Sequence, residues 1–258
     1  MLSILNGFDE KNLTLDVGRA AELCGSSRAS TYRYLQALTR SGLLTPASGG
    51  NYIIGSRVIE LEMLKRENDP LARVARHLIR FHSEDLELNV MLCNYYGDKV
   101  LCTDFAWTDH SIPEIYKRGR SMPIFKGAMA KVILANLSIS QLKSIYAHNS
   151  ERISENGLGD TIDAFMRNMS GIRSAGYCIT HAEVFPGLVG VAAPVNDTEG
   201  RVLGSVVLVV STQQFEEICE TFLIDKIKEI AADIERSLQR KTMTVIAARP
   251  RRNPAYRD

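Results

Sequence analysis

The sequence predicts an α+β fold in which a small winged helix-turn-helix domain is joined by a linker helix to a larger α+β domain with an antiparallel sheet. Three observations carry this. Three short capped helical segments precede Gly42, with a tight Gly-Ser turn between the last two. The run LLTPASGGNYIIG then places a Pro/Ser/Gly turn between two apolar stretches, the pattern of a β-hairpin wing. From Leu88 onward, strand-like runs alternate with helical ones, and no internal repeat is present.

The elements follow in order. Residues 2–8 form a short helix with Leu2, Leu5 and Phe8 on one side. Asp16 caps VGRAAELC, which Gly25 ends; Ser26 or Ser27 caps a second helix that runs to about Ser41, with Gly42 as its stop. After the wing, RVIELEMLKREN has Val58, Leu61 and Leu64 at helical spacing and reads as the linker. Asp69 and Pro70 restart a helix whose apolar stripe is Leu71, Val74, Leu78 and Phe81. LNVMLCNYYGDKVLCTDFAW reads as two strands around Tyr-Gly-Asp. A helix is expected directly after Pro123, another capped by Ser138, and a third ending near Gly176. CITHAEV, GLVGVAAPV and RVLGSVVLVVS are strands, the last two joined by NDTEG, and QQFEEICETFLIDKIKEIAADIERSLQRK closes as one long helix. The domain division is 1–56 for the winged part, 57–69 for the linker, 70–240 for the α+β domain and 241–258 for a basic, disordered tail.

The chain has 258 residues, 45% of them hydrophobic and 24% charged, which suits one large or two modest globular domains. A net charge of only +1 means that any contact with nucleic acid must rest on local patches. Such patches exist. No acidic residue lies between Glu22 and Glu60, a window that holds Arg28, Arg33, Arg40 and Arg57, and the last segment from Arg240 is strongly basic. Five scattered cysteines with no C-x-x-C pair exclude a zinc ribbon and fit reduced thiols in a cytoplasm. MLSILNGFDEKN lacks a basic run before a long apolar one, so no signal peptide is expected. VLGSVVLVVS is too short to span a bilayer.

On a 3.6-residue helix, Thr31, Tyr34, Leu35 and Leu38 share one face, and Arg28, Ala29, Tyr32, Arg33 and Gln36 the other. The second face holds the chemistry of a recognition helix. Arg and Gln pair bidentately with guanine and adenine edges, Ser27 and Ser30 stand at the helix start where a phosphate is received, and Ala29 fits a thymine methyl. Arg57, just past the wing, is a candidate phosphate contact. The plainer alternatives are a solvated charged face and a surface arginine.

The stretches LDVGRAAELCGSSRASTYRYLQALTRSGLL and GGNYIIGSRVIEL resemble the winged helix-turn-helix of the IclR family of bacterial transcription regulators. RGRSMPIFKGAMAKVILANL and IRSAGYCITHAEVFPGLVGVAAPVNDTEGRVLGSVVLVVS resemble that family's second domain, so the likeness spans residues 2–240 in order. The resemblance implies a GAF-like domain that binds a small organic effector and carries subunit contacts. It also implies a homodimer or dimer of dimers on a pseudo-palindromic operator in double-stranded DNA, more often as repressor than activator. By position, the effector would meet Gly127, Ala128, Met129, Thr180, Leu188, Gly190, Val207 and Val209. Phe125 stands where the family often has His, Ala130 where it has Gly, Gly190 where it has Cys, and Val207 and Val209 where it has Ser. These departures suggest a roomier, less polar cavity suited to an aromatic or longer carboxylate, held by free N–H groups at a helix start near Gly127. Trp107 and His181 are secondary candidates that fit structural roles as well, and Met122 and Met129 fit plain packing.

Three rivals are weaker. An enzyme could use His181 and Glu183, two apart on an expected strand, yet no G-x-S-x-G, H-E-x-x-H, P-loop or G-x-G-x-x-G occurs. No catalytic residue and no cofactor is therefore expected. A redox sensor would need a reactive thiol at Cys102 or Cys178. A metal sensor would combine His110, His181 and Cys178, but the spacing of the last two puts them on opposite strand faces, so no metal site is expected.

Overall fold

The computed structural model describes residues 1–96, 99–112 and 116–247. The hairpin tip at Gly97-Asp98 and residues 248–258 lie outside the described residues, whereas 241–247, expected as part of a disordered tail, continue the last helix. The chain divides into two units, Met1–Asp69 and the part from Pro70 onward.

The first unit opens with a 3-10 turn, Leu2–Gly7. Its fully buried residue is Ile4; Leu5 and Phe8 pack beside it, while the expected Leu2 lies in solvent beyond the rim of this small core. Helix α1, Val17–Cys24, is capped by the Asp16 carboxylate, which accepts the Arg19 N–H, and ends at Gly25 in the left-handed region (φ 58°). Helix α2, Arg28–Arg40, starts at the Ser27 cap. Thr31, Leu35 and Leu38 enter the core with Ile4, Ala20 and Leu44, and Tyr34 packs at its edge. Strands β1 (Leu44–Pro46) and β2 (Tyr52–Ile54) pair antiparallel as the wing, and Leu15 bridges to Tyr52. The wing's base is closed by a backbone contact. A Cβ on Gly55 would lie 2.1 Å from the Gly42 carbonyl oxygen, so only glycine fits there. The Gly55 N–H donates to the Leu43 carbonyl at 2.9 Å and the Arg57 N–H to the Gly42 carbonyl at 3.2 Å. Helix α3, Arg57–Asn68, buries none of its residues; Ile59, Leu61, Met63 and Leu64 are all exposed. Asp69 follows it and pairs with Lys65.

In the second unit a six-stranded antiparallel sheet has the order β5-β4-β3-β8-β7-β6. The strands are β3 (Asn89–Tyr95), β4 (Val100–Ala106), β5 (Ser121–Met122), β6 (Cys178–His181), β7 (Leu188–Asn196) and β8 (Val202–Ser211). Alternation along β8 supplies both layers of the core. Val206, Leu208 and Val210 meet helices α4 (Pro70–Leu86) and α9 (Glu220–Ala247), while Val207 and Val209 meet α5 (Ala128–Ala135). Helices α6 (Ile139–Glu155) and α7 (Ile162–Ala175) enclose a third cluster around Leu134, Leu142, Ile153, Phe165 and Met169.

Four expectations are corrected. Phe81 is exposed, because ten residues of helix leave it about 80° from Leu71, whereas His82 returns to about 20°. His82 is the buried residue there, its Nε2 3.0 Å from Asp233 Oδ2 on α9. The helix expected after Pro123 starts only at Ala128, since Gly127 turns the chain with φ 81°. The closing helix is two: α8 (Thr212–Glu217), with a Ser211–Gln214 capping box, ends at an extended Ile218 that packs on the α4/α9 core, and α9 begins afresh. Finally, β6 stops at His181, so Glu183 is on a loop and shares no strand face with it.

Phe165 is fully buried and anchors the third cluster. Phe165→Ala should cost about 3–5 kcal/mol. Urea unfolding followed through Trp107, the single tryptophan, measures this; a loss under about 1 kcal/mol would show that the α6/α7 cluster lies outside the cooperative core.

Candidate functional site

On α2 the side chains of Arg28, Tyr32, Arg33 and Gln36 all stand in solvent, opposite the buried Thr31, Leu35 and Leu38. The two serines at the helix start are engaged with each other. Ser27 Oγ accepts the Ser30 N–H at 3.3 Å and donates to Ser30 Oγ at 3.2 Å, which also accepts from Arg33 Nη2 at 3.3 Å. Arg33 is thereby steered along the helix start. A groove joins this face to the start of α1 and the wing tip, lined by Asp16, Gly18, Arg28, Ala29, Tyr32 and Gly50. The part played by Gly50 was not visible in the helix pattern, because the wing folds back onto α2. Arg57 lies apart from that groove, against Gly42 at the exit of α2, with its guanidinium paired to Glu60.

In the second unit, Gly127, Met129, Thr180, Leu188, Gly190, Val207 and Val209 come together around one cavity between the start of α5 and the sheet. Ala128 stands just behind it, its N–H donating to Thr180 Oγ1 at 3.0 Å. The remaining wall was missed by sequence reasoning: Tyr116 and the loop between β6 and β7, with Glu183, Val184 and Phe185. The cavity is not roomy. Its volume is ≈ 20 Å³, space for about one water molecule, and Val184 and Phe185 are among its walls.

Two of the expected donors at the α5 start, the Gly127 and Ala128 N–H groups, are already taken. The Gly127 N–H donates to Glu183 Oε2 at 2.9 Å, and Lys131 Nζ donates to Glu183 Oε1 at 2.5 Å. Glycine is favoured at 127 by its φ of 81°, and a Cβ there would also press on Met129 Sδ and Val184 Cγ2, at 2.6 and 2.7 Å. An internal carboxylate thus sits at a helix N-terminus beside a nearly buried lysine, a place physics favours for any anion.

Opposite lies an aromatic wall. The Phe185 ring meets Tyr116 edge-on at 5.6 Å, and Tyr116 meets Trp107 at 5.9 Å. Burial pushes the Tyr116 phenol up to about 12, so it keeps its proton at neutral pH. Trp107 donates Nε1–H to the Ile112 carbonyl at 2.9 Å and does not line the cavity. His181 is exposed and stacks perpendicular to Phe215 at 5.0 Å.

The thiols speak against a redox role for Cys102 and Cys178. Burial pushes Cys102 up to about 12 and Cys178 up to about 11, and holds Cys93 well above the ordinary thiol value. Cys219 is exposed and is lowered chiefly by its hydrogen bond with the Thr221 hydroxyl. Among the described residues no group of three His, Cys, Asp or Glu side chains could hold a metal ion, and no helix is long and apolar enough to cross a membrane.

Two family models match this sequence: the C-terminal domain of the bacterial transcriptional regulator IclR over residues 66–236, and the IclR helix-turn-helix domain over residues 1–47. The chain belongs to the IclR family of transcriptional regulators. It is 22% identical to the HTH-type transcriptional regulator KipR of Bacillus subtilis, across 92% of this chain and 94% of KipR. Its fold is like that of a putative IclR regulator from Silicibacter, with a TM-score of 0.77 at 18% identity over 93% of each chain. An IclR homolog from Microbacterium hydrocarbonoxydans, solved in complex with 4-hydroxybenzoate, has a TM-score of 0.71 at 16% identity, over 93% of this chain and 97% of that one. The family models describe DNA-binding regulators, and KipR is named as a regulator rather than an enzyme.

For this IclR-family regulator the thiol environments give a direct test. Iodoacetamide at pH 8 should label Cys219 faster than Cys102 or Cys178 by about tenfold or more, read by peptide mass spectrometry. Equal rates would mean that the second unit opens on the labelling timescale.

Proposed function

We infer that this IclR-family regulator reads an operator through α2, as a two-fold dimer, and that an aryl carboxylate bound in the second unit sets its operator affinity. The observation that carries the effector reading is a cavity that holds both the Glu183 carboxylate, bound by the Gly127 N–H and by Lys131 from behind the lining, and the Tyr116 aromatic wall. The relative that holds 4-hydroxybenzoate supports the same chemical class. The mode we carry forward is repression, since occupancy of an operator alone achieves it, whereas activation also needs a contact with polymerase. A DNA partner supports a cytoplasmic location.

Arg28 and Gln36 are assigned to base edges, Arg33 and Arg57 to phosphates, and Ser27, Ser30 and Tyr32 to the border of the groove. For Ser30 the assignment is indirect, because its hydroxyl orients Arg33. The second copy is argued from α3. It exposes Ile59, Leu61, Met63 and Leu64, and packing against a second copy would cover part of that surface. A dimer on two half-sites then follows from symmetry.

Arg28→Ala or Gln36→Ala should cost about 1–3 kcal/mol of operator affinity and relax preference at one base pair, whereas Arg33→Ala should weaken all sequences alike. Fluorescence anisotropy at fixed salt measures both. If the triple variant binds its operator as wild type does, α2 is not the reader. Leu61→Glu should shift the protein to monomer in analytical ultracentrifugation and weaken the operator complex; an unchanged dimer would exclude α3 from the interface. A panel of aryl carboxylates tested by thermal shift and operator release tests the effector class.

A further inference from the structure

We propose that the loop segment Glu183–Val184–Phe185 is an internal stand-in for the effector, and that an aryl carboxylate binds by exchange with it. Its carboxylate takes the place of Glu183 on the Gly127 N–H and Lys131 Nζ, and its ring takes the place of Phe185 against Tyr116. This rests on the effector reading above and adds the seat, the competitor and the part of the chain that moves.

Space comes first. A cavity of ≈ 20 Å³ admits no aryl acid, and sites that take small molecules are about 300–1,000 Å³. Something in the lining must leave. Met129, Val207 and Val209 belong to a buried layer between helix and sheet. Glu183, Val184 and Phe185 belong to the connection between β6 and β7, outside both strands. That connection is bounded by two residues in the left-handed region, Ala182 (φ 54°) and Gly187 (φ 76°). Its anchors include the two Glu183 hydrogen bonds, the Phe185 ring, which also carries the Arg120 guanidinium at 5.5 Å, and Val184, packed on the layer between helix and sheet.

Charge comes second. Lys131 is 12% exposed and Glu183 31% exposed, so the pair is largely out of water. A second carboxylate beside Glu183 would meet a like charge in a poorly solvated place, which is costly. A carboxylate that replaces Glu183 leaves the charge of the seat unchanged, and Glu183 passes to solvent, where it is already partly wetted. Shape is the third argument. Glu183 and Phe185 together present a carboxylate at one end and a phenyl ring at the other. The space that they vacate therefore has the outline of an aryl carboxylate.

The test uses the full-length protein with benzoate and its neutral isostere benzamide, by isothermal titration calorimetry. Glu183→Gln should bind benzoate at least tenfold more tightly than wild type, with no comparable gain for benzamide. Lys131→Met should lose benzoate in both backgrounds. In the wild type, benzoate should accelerate hydrogen exchange across residues 182–188. Should Glu183→Gln melt early, Phe185→Ala, which frees the ring's place alone, should also gain affinity. If benzoate binds E183Q no more tightly than wild type, or slows exchange across 182–188, Glu183 is a fixed clasp and the proposal falls, while the effector reading stands on the wild-type binding. If neither protein binds benzoate the proposal falls as well, whereas the effector reading falls only when the wider panel of acids also fails.

Discussion

Strand β8 has no face that tolerates water, and the rest of the second unit follows from that. Val206, Leu208 and Val210 on one side and Val207 and Val209 on the other are buried at the centre of the sheet, between β3 and β7. At about 1.5–3 kcal/mol for each fully buried aliphatic side chain, these residues alone contribute on the scale of a domain's net stability. Both faces must therefore be covered, one by α4 and α9 and the other by α5. The position of α5 is thus dictated by apolar burial, and its polar beginning is carried to the sheet as a consequence.

That division of labour would let one end of α5 serve as the proposed place of exchange without endangering the fold. Its far end is held by Arg173, which donates to the carbonyls of Ala135 and Leu137, so a cation sits where the helix dipole is negative. Its near end meets the Glu183 carboxylate, where the dipole is positive. The hydrophobic layer fixes the helix, whereas the largely desolvated Lys131–Glu183 pair nets much less, because taking both charges out of water offsets most of their attraction. A strong core with a weak, charged clasp at its edge is what permits local opening below the cost of global unfolding.

Much of this was legible in the residues, where the signals are local. Asp16, Ser27 and Ser138 announce their helices because a cap acts within three residues, and Gly25 ends α1 because the left-handed turn needs it. The face of α2 and the strands β7 and β8 follow from period alone. The seven predicted residues that line the cavity were placed by resemblance, since they come from four separate elements. What stayed hidden depends on distant partners. Glu183 and Gly127 are 56 residues apart, and nothing in the run THAEVF says that its carboxylate returns to a helix start. Phe81 was misplaced by extending a stripe one step too far, and the break at Ile218 arises because that side chain gains more from the core than from a continuous helix.

The glycine contact at the base of the wing has a mechanical meaning. Gly55 lies so close to the Gly42 carbonyl that no side chain could intervene, and the Arg57 N–H bonds to that same carbonyl. The last turn of α2 and the first turn of α3 are therefore riveted backbone to backbone, with no flexible side chain between them to absorb a displacement. A twist applied along α3 would be passed to the end of α2 through these backbone contacts. In the dimer proposed above, the pitch between the two α2 helices would follow the pose of the connector, and a rotation there would move both against the DNA groove.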